Sequence, residues 1–253
     1  MSPRPVTITS YNMHKGMSAL NRKYQLDSMG DALQSLNSDV LFLQEVQGMH
    51  ANRSSKILEY PSEPHYDVLG DYLSFNRSYG KNAIYPQRHH GNAILSHLPL
   101  ETRNNLNITV NKHEQRGVLH CEVLPEGWDV PLVCLCAHLN LREPDRAKQY
   151  QAIFEYVSQQ IDTQIPLIIA GDFNDWRYKS AISLGKALNL DEVFLDSKGK
   201  RPKTFPSRMP LLSLDRVYTR NLDIMETQIH NSRNWQMLSD HLPLSVKVKP
   251  KLP

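Results

Sequence analysis

Leu167-Ile168-Ile169-Ala170-Gly171-Asp172-Phe173-Asn174-Asp175 decides the architecture of this chain. Its first four residues form an apolar run, β-branched at the centre and preceded by Pro166. That pattern reads as a strand covered on both faces. It then breaks into polarity. Gly171 permits an unusual backbone angle, and Asp172, Asn174 and Asp175 set two carboxylates and a carboxamide at the strand's carboxyl end, where α/β sheets gather ligands. Anionic oxygens in that position suit a cation, although an isolated stretch of this kind is more often an Asx loop satisfying its own backbone.

The rest of the chain bounds the problem. At 253 residues, 40% hydrophobic and 22% charged, it is an ordinary globular chain able to bury its core without cross-links. Its net charge of +3 suits anionic substrates without announcing a nucleic-acid binder. Three cysteines, an odd number, argue against a disulfide framework and for a reducing compartment. The amino terminus runs from Met1-Ser2-Pro3-Arg4-Pro5 directly into a strand-like segment, and no apolar stretch is long enough to span a bilayer. The expectation is a cytoplasmic monomer with a single domain over 1–253, as no repeat, linker or low-complexity tract divides the chain.

Other strand ends repeat the pattern of Asp172. Val6 to Tyr11 alternates in polarity and delivers Asn12, His14 and Lys15, while Val40-Leu41-Phe42-Leu43 ends in Gln44-Glu45. Between them, Leu26 to Leu36 has helical spacing. From about Gly48 to Gln87 the pattern weakens, reading as helix fragments and loops with Val68-Leu69 as the one strand candidate. Tyr66, Tyr72, Phe75, Tyr79 and Tyr85 of this region would rim a pocket or fill a core. Ala93 to Ser96, Asn107 to Val110, Gly117 to Val123 and Val130 to His138 read as further strands. In the last, Cys134, Cys136 and His138 share one face. Zinc ligands are normally spaced around turns, so core cysteines are the favoured reading. Glu143 to Ile161 carries a long helical pattern with Ala147, Tyr150, Phe154 and Val157 on one side, and a helix is expected between Asp175 and Leu188. Lys198 to Lys203 reads as a solvated basic loop. Leu212 to Tyr218 presents Asp215, and Ser239-Asp240-His241 precedes a closing strand.

Taken singly, each of these polar residues has an ordinary structural explanation: a turn for Asp240-His241, an ion pair for Glu45, a hydrogen-bonded core imidazole for His138. Taken in order, Asn12, Gln44-Glu45, Gly91-Asn92-Ala93, His138-Leu139, Gly171-Asp172-Phe173-Asn174, Leu214-Asp215 and Ser239-Asp240-His241 resemble the endonuclease/exonuclease/phosphatase superfamily, the DNase I-like phosphoesterases. The resemblance spans Val6 to Val248 and is nearest to small bacterial members of unassigned substrate. It implies a four-layer α/β sandwich of two mixed β-sheets flanked by helices.

It also implies roles. Glu45 resembles the main Mg²⁺ ligand (Mn²⁺ being an alternative ion), with Asn12 and Asp240 in support. Asp172 and Asn174 resemble the pair that activates water, His241 a phosphoryl hydrogen-bond donor oriented by Asp215, and His138 a second histidine found in the DNase, sphingomyelinase and inositol-phosphatase branches. Asn92, Lys15, Arg116 and Arg142 are assigned to the substrate, the three cations by charge and location. The implied reaction is metal-assisted in-line hydrolysis of a phosphodiester or phosphomonoester, in nucleic acid, a phospholipid headgroup or a small phosphoester. The alternatives are a DNA or RNA nuclease, or a noncatalytic module binding phosphorylated ligands or protein on the same fold.

Overall fold

The computed structural model describes residues 3–19 and 23–251; Met1 and Ser2, at the start of the terminal stretch read above, lie outside them. Two six-stranded mixed sheets face each other. The first has β1 (Val6–Asn12), β2 (Val40–His50), β3 (Asn76–Tyr85), β4 (Arg88–Ser96), β11 (Leu222–Ile229) and β12 (Leu244–Pro250), in the order β11-β12-β1-β2-β4-β3. The second has β5 (Leu100–Asn107), β6 (Gly117–Val123), β7 (Leu132–His138), β8 (Leu167–Asp172), β9 (Asp191–Glu192) and β10 (Asp215–Arg220), in the order β5-β6-β7-β8-β10-β9.

The facing sheet surfaces make the central core. Ile8, Phe42 and Ile94 from one sheet pack with Leu119, Cys134, Cys136 and Ile168 from the other. α1 (Leu26–Gln34) and α3 (His65–Leu73) cover the outside of the first sheet, and α4 (Glu143–Gln160) with a π-helix at Ala181–Lys186 covers the second. α2 (Ala51–Ser54) and α5 (Arg233–Leu238) are short. The result is a four-layer α/β sandwich, as the sequence implied. The strands read as two-sided apolar runs are the central ones: every residue of β7 and β8 is buried.

Register then fixes the functional end. β7 runs parallel to β8 with His138 opposite Asp172, and β10 runs antiparallel on the other side with Asp215 opposite Asp172. In the facing sheet, β1 and β2 are parallel with Asn12 opposite Gln44. The polar strand ends therefore lie along one rim.

Several expectations are corrected, and most corrections fall at sheet edges. β3, β5 and β11 are edge strands in which exposed and half-buried residues outnumber buried ones, so they carry no apolar run to announce them. β3 occupies ground read as loop, Val68-Leu69 lies in α3, and the strand placed at Asn107 to Val110 ends at Asn107. β2 continues to His50 past a bulge at Gln44-Glu45. The buried side of α4 runs through Tyr150, Ile153 and Val157 with Arg146 and Gln149, and Ala147 is exposed. The basic loop is not wholly solvated, since Arg201 makes paired hydrogen bonds of 2.5 and 2.6 Å to Glu192.

Gly171 shows how tightly the central strands are set. Its φ is +146°, and a Cβ there would lie 1.9 Å from the Ala137 carbonyl oxygen on β7. Gly171→Ala is expected to cost about 3 kcal/mol or more, from strain and a backbone clash. Gly199→Ala, at φ +76° with nothing near its Cβ, should cost about 1 kcal/mol. Denaturant titration of the two variants checks this; equal losses would contradict it.

Candidate active site

The Asp172 carboxylate is 2% exposed and lies where the two sheets' rims meet. Asn12, from the opposite sheet, donates its amide to Asp172 Oδ2 at 3.0 Å. The Asn174 backbone N–H donates to Oδ1 at 2.9 Å, and Asn174's own amide donates to the Leu139 carbonyl at 2.9 Å. Asn174 takes a left-handed φ of 49°, which lets the chain turn back on Asp172. His138 Nε2 and His241 Nε2 each stand 3.6 Å from Asp172 Oδ2. His241 Nδ1 is 2.9 Å from Asp215 Oδ2.

These contacts set the charges. Burial raises the Asp172 carboxyl to about 6, with Asp215 adding and His241 opposing. Burial alone would lower the His241 imidazole, but Asp215 and then Asp172 outweigh it and raise it to about 10. At neutral pH an imidazolium thus faces an aspartate that can still take a proton. His138 is held neutral, by burial first and by Arg116 second.

Glu45 occupies the bulge in β2 with φ 54°, a conformation that re-aims its side chain out of the pleat. Lys15 closes on it in a direct ion pair. Burial pushes the Glu45 carboxyl up, but the Lys15 ammonium holds it well below the usual carboxylate range. On the other flank, Asp240 lies 3.8 Å from His14 Nδ1, and Ser239 ties Asp240 to the Asn12 carbonyl through its hydroxyl.

Two oxygen-rich sets are candidates for a cation. Asp172, Asp215 and His241 bring ligand atoms within 4.8 Å of one another. Their positive charge, however, is already supplied by the protonated His241. Glu45, Asn12 and Asp240 offer oxygens only, the donor type hard cations prefer, and Glu45 is kept anionic against an ammonium group.

Among the remaining sequence-singled residues, Asn92 is buried and donates its amide to the carbonyls of Gly117 and Cys136, which lie in the facing sheet. It ties the sheets together beneath the site. Lys15 and Arg116 line one cavity beside Glu45, whereas Arg142 is exposed where α4 begins. Asp175 turns away and accepts from Ser180 N–H and Oγ at 2.7 Å each. Cys121, Cys134 and Cys136 are free and buried. Thr204 is a residue the sequence did not flag: its hydroxyl donates to Asp215 Oδ2 at 2.5 Å. No local signal marks it, because its role comes from a loop folding back across the rim.

The model of the Endonuclease/Exonuclease/phosphatase family matches residues 9–241. This chain belongs to that family. An Escherichia coli K12 relative named "Uncharacterized protein YbhP" is 39% identical over 241 residues, covering 95% of each chain. Two solved structures share the fold of this family member. The human Nocturnin catalytic domain with bound sulfate has a TM-score of 0.73 at 17% identity, covering 99% of this chain and 96% of that one. ANGEL2, described as a 2′,3′-cyclic phosphatase and solved with adenosine-2′,3′-vanadate, has a TM-score of 0.71 at 15% identity, covering 99% and 97%.

The raised His241 value carries a sign. Because it lies above the ordinary 6.5, the stability this group contributes is complete below about 6.5 and is lost as pH rises through about 10. An NMR titration of the metal-free protein should show the His241 ring still protonated at pH 8, with Asp215→Asn moving its midpoint back toward the ordinary imidazole range. A wild-type ring that titrates near 6.5 would contradict the pairing.

Proposed function

We propose that this protein is a divalent-metal-dependent hydrolase of phosphoester bonds, acting as a single-domain monomer in the cytoplasm. One observation supports the reading: a buried aspartate whose proton affinity lies near neutrality stands 3.6 Å from a histidinium and accepts the Asn12 amide from the facing sheet. Proton acceptor, oxyanion donor and cation ligands are then within reach of one phosphorus atom. The free buried cysteines suit a reducing compartment, and no helix among the described residues is long and apolar enough to cross a membrane.

Glu45, with Asn12 and Asp240, would hold Mg²⁺ or Mn²⁺. That ion supplies charge neutralisation at the phosphoryl and leaving oxygens. The chain's own residues do the rest. Asp172 takes the proton from the attacking water as the new oxygen–phosphorus bond forms and the bond to the leaving oxygen breaks. Asn12 and the Asn174 N–H hold Asp172 in place while this happens. His241 donates from Nε2 to a nonbridging phosphoryl oxygen, kept protonated and aimed by Asp215, which Thr204 fixes in turn. His138, neutral, offers a second ring nitrogen 3.6 Å from the same Asp172 oxygen. Lys15 and Arg116 face the substrate's anionic oxygens.

With bis(p-nitrophenyl) phosphate and Mg²⁺, Asp172→Ala should lower kcat by about 10²–10⁴-fold. Glu45→Ala should raise the Mg²⁺ concentration giving half-maximal rate by at least about tenfold. Rates unchanged in both variants would return the molecule to a binding module. The pH profile should climb through about 6, as Asp172 loses its proton, and fall through about 10, as His241 loses its own. The bound ion draws the acid limb lower. A profile flat from pH 5 to 11 would remove both groups from the chemistry.

A further inference from the structure

A cavity of about 400 Å³ opens beside Glu45, where the ends of β2, the β3–β4 hairpin and the loop before β6 converge. Four cations line it: Lys15, Arg53, Arg88 and Arg116. Only two carboxylates do, Glu45 and Glu114. The four cations and two carboxylates leave a net excess of two positive charges on its wall. Two of the cations are incompletely satisfied by protein. Arg88 lies 4.7 Å over the Tyr85 ring and forms no ion pair among the described residues. Arg116 bonds Glu114 at 3.1 Å through Nη2, while its Nε is buried with no hydrogen-bond partner there. Guanidinium groups left in this way match the forked oxygens of a phosphoryl group.

From this placement we infer that the cavity takes a second phosphoryl group of the substrate, so that the preferred substrate is a compact molecule carrying at least two phosphoryl groups. The inference rests on the phosphoesterase reading, with Glu45 forming the wall shared by the reacting centre and the cavity. Arg116 and Lys15 act electrostatically on His138 across that wall, so an anion in the cavity sits within reach of the reacting site. The shape favours a compact ligand over a polymer. A volume of 400 Å³ falls among small-molecule clefts, whereas a nucleic-acid strand needs cations strung along a groove with aromatic platforms for successive bases.

Calorimetric titration of the metal-free, full-length protein tests the cavity without needing turnover. Pyrophosphate is expected to bind at least about tenfold more tightly than orthophosphate, the gain from one added set of charged hydrogen bonds. Arg88→Ala should erase most of that ratio. Arg103→Ala, on exposed β5 and paired with Glu101 and Glu122, should leave it intact. Equal affinities for the two anions in the wild type, or a ratio that survives Arg88→Ala, would overturn the inference. So would a short single-stranded oligonucleotide that displaces pyrophosphate and binds more tightly in an Arg88-dependent way. Loss of hydrolysis in every assay would sink the phosphoesterase reading alone, since the anion titration does not depend on it.

Discussion

A carboxylate buried at the seam of two sheets has to be satisfied there, and Asp172 is satisfied only because both sheets end at the same level. Taking such a group out of water costs several kcal/mol unless donors replace the lost solvent. Asn12 reaches across from β1 to supply one donor, and the Asn174 N–H supplies another from the turn after β8. The histidinium of His241 offsets the remaining charge at 3.6 Å. Were β1 slipped by one residue against β2 and β12, Asn12 would point to the opposite face of its sheet and the carboxylate would lose that donor. Packing of the sandwich and competence of the site are therefore one constraint.

Beneath the rim, buried polar side chains hold that alignment. Asn92 crosses from β4 to two carbonyls of the facing sheet. Arg216 donates to the carbonyls of Ser213, Asp215 and Asp175, clamping the loops that follow β8 and precede β10. Gln149 on α4 accepts from the Asn140 N–H and donates to the Asn140 side chain, steadying the turn after His138. These groups lie outside the candidate site, yet each fixes a segment that forms it. In a water-excluded site, such preorganisation strengthens every charged contact.

What could be read from the sequence followed burial. β7 and β8 are covered on both faces, so their apolar runs announced them, and the polar residues where β1 and β8 end and where β2 bulges marked the rim. β3, β5 and β11 sit at sheet edges, half in solvent; the polar residues of β3 looked like loop, and those of β5 and β11 gave no strand signal before Asn107 or after Arg220. On α4 the apolar count suggested a stripe through Ala147, whereas Arg146 is buried in that region and donates to the carbonyls of Asn140 and Leu141. Residue types at the site were legible as chemistry; their partners were not. Thr204 and Asp215 are joined by a loop closure, Asn12 and Asp172 are 160 residues apart, and Asp175 spent its carboxylate on Ser180. Nothing local encodes such pairings.

The convergence of the two rims on a single phosphorus atom is tested most directly by diffraction from crystals soaked in Mn²⁺ and orthovanadate. Anomalous density between Glu45, Asn12 and Asp240, with a vanadate oxygen against His241 Nε2 and another near Asp172, is the result expected. Manganese lodged instead among Asp172, Asp215 and His241, or vanadate bound away from both sets, would contradict it.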